Sequence, residues 1–398
     1  MATGLKGATI FDGTEKEMVS NSLIIIEAGK ISYFGPDDSR KIPPGTEVVS
    51  LEGKTIIPGL IDAHIHLDLH GMANTYEENL VEDKLRAIRA VKDMQNTLYS
   101  GITTVRNVGS VNHIDFAVKE AIENGWFEGP RILTSGRIIS MTSAGNEYFS
   151  GMYREADGCD EVRKAAREQI KAGADFLKLM ATGAYMNPGG VPGAVQLGLE
   201  EIAVVVEEAD KVGLRVAAHA HGKEGIINAV QAGVATIEHG TFIDDEVIEL
   251  MLTAGVYLVP TIVVGHLMKV NGTEKGIPGF MLEKEHDKDE QIKENLLKAI
   301  NAGVKVAYGT DAGTNYNYHG NNALELVLMV EQGFMNPLQA LTCATKISAE
   351  ALGLSDQIGT IERGKDADLV VVGKPLDKSL RPLLDHVEMV YKKGKRVK

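Results

Sequence analysis

The chain has 398 residues, of which 44% are hydrophobic and 24% charged, and its formal net charge is −14. That length exceeds one ordinary domain, and an acidic surface argues against sequence-independent binding to nucleic acid or anionic lipid, because both need basic patches. Two cysteines, Cys159 and Cys343, can build neither a disulfide framework nor a thiolate metal cluster, no run reaches the ~18 apolar residues of a membrane span, and the start Met-Ala-Thr-Gly-Leu-Lys lacks a charged-then-apolar leader, so a cytoplasmic protein is expected.

Residues 8–57 read as short strands. Alternation and β-branching mark Ser22–Ile26, Lys30–Phe34 and Glu47–Val49, with turns at Glu27-Ala28-Gly29 and Gly35-Pro36-Asp37 between them. The stretch 58–358 then alternates strand and helix. Apolar strand candidates lie around Ile61, Thr104, Ile132, Leu177, Val216, Thr236, Val259 and Val306. Helical spacing marks Glu78–Tyr99, Glu161–Ala172, Leu199–Val212, Glu224–Ala232, Asp244–Ala254 and Lys284–Ala302. Most of these end in glycine, the residue that enters a left-handed cap without steric cost. The C-terminal Asp368–Val372 and His386–Tyr391 return to strand character. Repeated strand–helix units predict an α/β fold, a (β/α)8 TIM-like barrel over 58–358. Both termini, 1–57 and 359–398, are expected to pair into one small β-sandwich domain. No glycine-rich dinucleotide fingerprint follows the first strand, which disfavours an open doubly wound sheet.

Barrel enzymes carry their chemistry at the C-terminal ends of the strands. The first strand ends Asp62-Ala63-His64-Ile65-His66; alternation turns His64 and His66 the same way, and two imidazoles there can chelate a divalent metal. The fourth strand holds Lys178 among apolar neighbours. Burial favours its neutral amine, which can react with carbon dioxide to form a carbamate able to bridge two metals. The fifth strand ends in His219-Ala220-His221, the sixth in His239, and the eighth in Asp311 before Ala312-Gly313.

The order His-x-His, Lys, His, His, Asp on strands one, four, five, six and eight resembles the binuclear pattern of the amidohydrolase superfamily. The runs 172–183, 216–222 and 236–240 resemble its imidazolonepropionase-related branch, which includes Xaa-Pro dipeptidases, carboxypeptidases acting on N-acyl amino acids and ochratoxin-type amidases. The resemblance implies a metal-dependent hydrolase of a small amide or peptide. Two divalent ions, zinc by expectation, would be held by His64, His66 and Asp311 on the more buried side and by His219 and His239 on the other. Carboxylated Lys178 would bridge them. A metal-bridging hydroxide would attack the carbonyl, with Asp311 as proton shuttle.

His221 shares the face of His219 and is expected to contact substrate, as are Tyr185, Asn146 and His319. In the resembling branch the loop after strand three often reads Gly-Gly-His-Gly; here Asn146 stands near that histidine, which removes a titratable donor. Val263 to Gly279, after strand seven, is a candidate lid. A homo-oligomer is expected. The rival readings are a cyclic amide or imidazolone ring hydrolase and a mononuclear deaminase; the deaminase has no need of Lys178.

Overall fold

A computed structural model describes residues 2–14, 17–285 and 289–398. All eight expected strand positions carry a barrel strand or bridge. Leu60–Ile65, Ile102–Asn107 and Arg131–Thr134 form one parallel run. Ile138–Ser140, Phe176–Met180, Arg215–Ala220, Thr236–His239 and Tyr257–Val259 form another. The third strand is interrupted at Gly136, whose φ of 69° lies in the left-handed region. Its first half pairs with strand two, and its second half turns to meet strand four through Ile139 and Leu179.

The sheet then closes. The Asp175 amide donates to the Thr134 carbonyl at 2.8 Å, Leu258 bridges Val306, and the Ala63 and His66 amides donate to the carbonyls of Tyr308 and Ala312, each at 2.8 Å. The result is a parallel barrel of the TIM type. Its eighth position is held by single bridges rather than a regular ladder.

Helices pack outside this sheet because each presents one apolar stripe to it. Cys159–Ala172, Leu199–Asp210, Lys223–Ala232 and Asp245–Ala254 fall within a few residues of expectation. Gly173 and Gly233, at φ of 102° and 96°, cap two of them. The expected helix Glu78–Tyr99 starts later, at Asp83, after a 3-10 segment over Thr75–Leu80. Lys284–Ala302 is represented by Gly279–Glu285 and Asp289–Ala302, while 286–288 lie outside the described residues. Periodicity did not mark Ile114–Glu123 or Ile262–Asn271; the second occupies the start of the stretch read as a lid. Among the described residues no helix is long and apolar enough to cross a membrane.

The two ends of the chain meet as two sheets. One contains Thr3–Lys6, Ser22–Glu27, Lys30–Pro36 and Glu47–Ser50; the other contains Thr9–Ile10, Thr55–Pro58, Leu369–Val372, Val387–Lys392 and Lys395–Arg396. Leu5, Ile24 and Ile26 of the first share a core with Ile56, Leu369 and Val371 of the second. Thr55–Pro58 pairs antiparallel with Leu369–Val372 and leads through Gly59 straight into the first barrel strand, so this unit fixes where the barrel begins.

Candidate metal centre

The barrel mouth gathers the residues that the strand ends offered. His64, Lys178, His219 and Asp311 are buried, and His66 and His239 are nearly so. Three strand ends leave regular geometry here. His239, Thr261 and Asp311 take φ values of 71°, 49° and 57°, a region costly for residues with a Cβ. The turn at His239 explains how two consecutive residues serve one site. Glu238 points into the barrel with Thr236, and the left-handed step then brings His239 round to the mouth instead of to the outer face.

Four of the imidazoles are oriented from behind. His64 Nδ1 lies 2.7 Å from Glu238 Oε2, and His66 Nδ1 lies 3.0 Å from the Gly109 carbonyl. Both partners are acceptors, so each Nδ1 donates its proton outward and Nε2 is the ring nitrogen turned inward. His239 Nδ1 is 2.8 Å from Thr261 Oγ1, and His221 Nδ1 is 2.7 Å from Thr241 Oγ1. Anchoring one ring nitrogen so that the other is free is how metal-ligating histidines are commonly held.

The inward atoms fit a cation. Asp311 Oδ1 sits 3.4 Å from Nε2 of both His64 and His66. Asp311 Oδ1 and His219 Nε2 are buried atoms with no hydrogen-bond partner among the described residues. Burial raises the Asp311 carboxyl, but His64, His66 and Lys178 outweigh it and hold it down at about 2. Burial and the neighbouring imidazoles drive His219 and His239 well below the usual histidine range, leaving neutral rings suited to ligation. Donor atoms of His64, His239 and Asp311 lie within 4.8 Å of one another, and so do those of His219, His221 and His239. Lys178 stands beneath them, level with Ala217 of the next strand. Burial lowers its ammonium to about 8, which puts a reactive neutral amine within reach near neutrality.

The expected substrate contacts divide. Tyr185 lines the cavity above the centre, its ring 4.8 Å from that of His221. His221 also lines the cavity, but it lies as near to His219 and His239 as a ligand would. Asn146 stands behind the wall: its amide donates to the Met141 carbonyl and Glu155, and its oxygen accepts from Asn187, which is the wall residue. His319 is likewise set back. Its Nε2 donates to the carbonyls of His66 and Leu69, bracing the strand-one loop. Sequence reasoning missed Glu238, Arg106, Thr241 and Thr261. The adjacency of Glu238 to a strand-end histidine was the available signal for the first.

The cavity measures about 370 Å³. Met152, Met180, Met186, Met268, Phe149 and Phe334 make much of its wall. Half-buried Lys293 adds a cation that has no ion-pair partner among the described residues.

Residues 55–397 match the profile of the Amidohydrolase family. The chain is 30% identical to ochratoxinase of Aspergillus niger over 390 residues, covering 89% of this chain and 78% of the relative. It is 24% identical to imidazolonepropionase of Thermoplasma volcanium over 383 residues, 90% of this chain and 85% of that one. Among solved structures, a Xaa-Pro dipeptidase with methionine bound in its active site superposes with a TM-score of 0.92 at 33% identity, covering 100% of both chains.

Proposed function

Since this chain belongs to the amidohydrolase family and is a hydrolytic enzyme, we propose that it cleaves the amide bond of a dipeptide or an N-acyl amino acid. The observation that carries this reading is the convergence of His64, His66, His219, His239 and Asp311 at one barrel mouth, above Lys178 and below an apolar cavity. His64, His66 and Asp311 would hold one divalent ion, His219 and His239 a second, and a carboxylated Lys178 would join them; zinc suits imidazole and carboxylate donors. Such ions, when bound, acidify water and polarise a carbonyl.

The chain's own groups supply the rest. Asp311, ionised and with Oδ1 turned to the His64 and His66 nitrogens, takes the proton of the attacking water and returns it to the departing amine. The methionines and phenylalanines of the wall suit an apolar side chain or acyl group. Lys293 suits the free carboxylate of a dipeptide or N-acyl amino acid. His221 and Tyr185 are placed to meet the scissile region. Residues 1–57 with 359–398 are read as a small β-sandwich domain, and 58–358 as the catalytic barrel.

The test is metal content and turnover together. Plasma mass spectrometry on the purified chain should find about two divalent ions per chain. A panel of Xaa-Pro dipeptides, N-acyl amino acids and lactams should show turnover of an open-chain amide. One ion per chain would favour the deaminase reading. Turnover of the lactams alone would favour ring opening, the reading to which the imidazolonepropionase relative points.

A further inference from the structure

We infer that the metal cluster divides the cavity into two apolar lobes, and that the lobe beside strand eight takes the side chain of the released amino acid, a long apolar one; the inference rests on the amide-hydrolase reading above. In a closed barrel whose strands follow chain order, the gap between strands three and four lies opposite the gap between strands seven and eight. The apolar lining falls on those two sides. Phe149, Met152 and Tyr153 follow the second half of strand three, and Met186 follows strand four. Ile262 opens the helix after strand seven, Ile292, Lys293 and Leu296 lie on the helix that leads into strand eight, and Phe334 follows the helix beyond it. His64, His239 and Asp311, from strands one, six and eight, bring donor atoms within 4.8 Å of one another, so the cluster stands between the two sides.

Two groups decide which half of the substrate goes where. Asp311 ends strand eight, and the amine that receives its proton has to stand beside it. Lys293, the cation suited to the substrate carboxylate, lines the same side. Amine and carboxylate of the released amino acid therefore both belong to the strand-eight lobe, and the acyl half belongs to the lobe of Phe149, Met152, Tyr153 and Met186. Depth then sets the side chain. One face of the helix Asp289–Ala302 descends from exposed Glu290 past half-buried Ile292 and Lys293 to buried Leu296, a rise of about 9 Å. Leu296 and Phe334 share one apolar cluster, and Ile262 packs against it. A carboxylate held at Lys293 sits one helical turn above Leu296. A long apolar side chain reaches that floor, whereas alanine or the compact ring of proline leaves it unfilled. Each methylene that reaches it should strengthen binding about fourfold.

The test uses binding and turnover on the metal-loaded full chain. Calorimetry with L-alanine, L-2-aminobutyrate, L-norvaline and L-norleucine should show affinity rising about fourfold per methylene. The N-acetyl derivatives should show the same rise in kcat/KM, with N-acetylproline below N-acetylnorleucine. Ile292→Trp and Leu296→Trp each fill the lobe and should flatten both rises. Met152→Trp fills the opposite lobe. It should instead flatten the rise in kcat/KM seen when the acyl group of N-acyl-alanine is lengthened from acetyl to hexanoyl, and the norleucine-to-alanine ratio should persist. A flat side-chain series in the parent overturns the proposal, and so does a rise that survives both Ile292→Trp and Leu296→Trp. Affinity that rises along the series with no amide turned over would remove the amidase reading and keep the lobe; turnover without the rise would do the reverse.

Discussion

His64 Nδ1 donates to Glu238 Oε2 at 2.7 Å, and both side chains are shut off from water. The other carboxylate oxygen of Glu238 accepts from Arg106 Nη2 at 2.7 Å, so one buried carboxylate orients an imidazole and balances a buried guanidinium. Glu238→Gln keeps the shape and removes the charge. His64 then loses its enforced tautomer and Arg106 loses its counter-charge. Metal affinity should fall about 10–100-fold in a chelator competition, and urea unfolding should show a loss of about 3–5 kcal/mol. Unchanged affinity would mean that His64 needs no support from behind.

Lys178→Ala removes the amine proposed to carry the bridge. Metal content and turnover should both collapse, by at least about a hundredfold in rate. Formate or acetate should restore part of the activity by standing in for the lost carboxylate. In the parent, labelling with 13C-bicarbonate should give a carbamate signal that Lys178→Ala lacks. Full activity in Lys178→Ala would remove the bridge from the proposal.

Asp311→Asn separates holding from proton transfer. An amide oxygen can still face the cation, but it cannot accept the proton of an attacking water. Metal content should stay near that of the parent while kcat falls about 10²–10⁴-fold. Retained metal with retained turnover would assign the proton to another group.

Lys293→Gln tests the carboxylate reading of the cavity. For a substrate with a free carboxylate KM should rise about tenfold, a loss near 1.4 kcal/mol, while its carboxamide counterpart is unaffected. An equal change for both substrates would mean that Lys293 shapes the wall without reading charge.

Glu208 ties the helix Cys159–Ala172 to Leu199–Asp210. It accepts from Arg163, Arg167 and Lys211, and hydrogen bonds from Arg167 and Lys211 hold its carboxyl below the usual range. A carboxyl lowered by folding contributes stability above its unfolded pKa, and that contribution is lost as pH falls toward the folded value. Glu208→Gln should therefore lower Tm by roughly 1–3 °C at pH 7. The gap between variant and parent should close on acidification. A gap that is constant with pH would point to packing in place of charge.

Strand–helix alternation, glycine caps and polar residues at strand ends made the barrel and the cluster His64, His66, Lys178, His219, His239 and Asp311 legible in the sequence, because period and position along one strand are local properties. The pairing of the two chain ends was legible for the same reason: both carry short β-branched runs, and they find their places in two sheets over one core. What surrounds the cluster depends on which strand lies beside which. Glu238 behind His64, Thr261 behind His239 and Arg106 across the barrel are contacts between residues 174, 22 and 132 positions apart. Local pattern carries no information about such pairs. Asn146 and His319 show the converse: each has the chemistry of a substrate contact, yet each is turned to backbone or neighbouring side chains behind the wall. The sequence by itself offered the groups that we propose to bind metal. Only the closed barrel decided which nitrogen of His64 and of His66 faces inward, because that depends on the acceptor packed behind each ring.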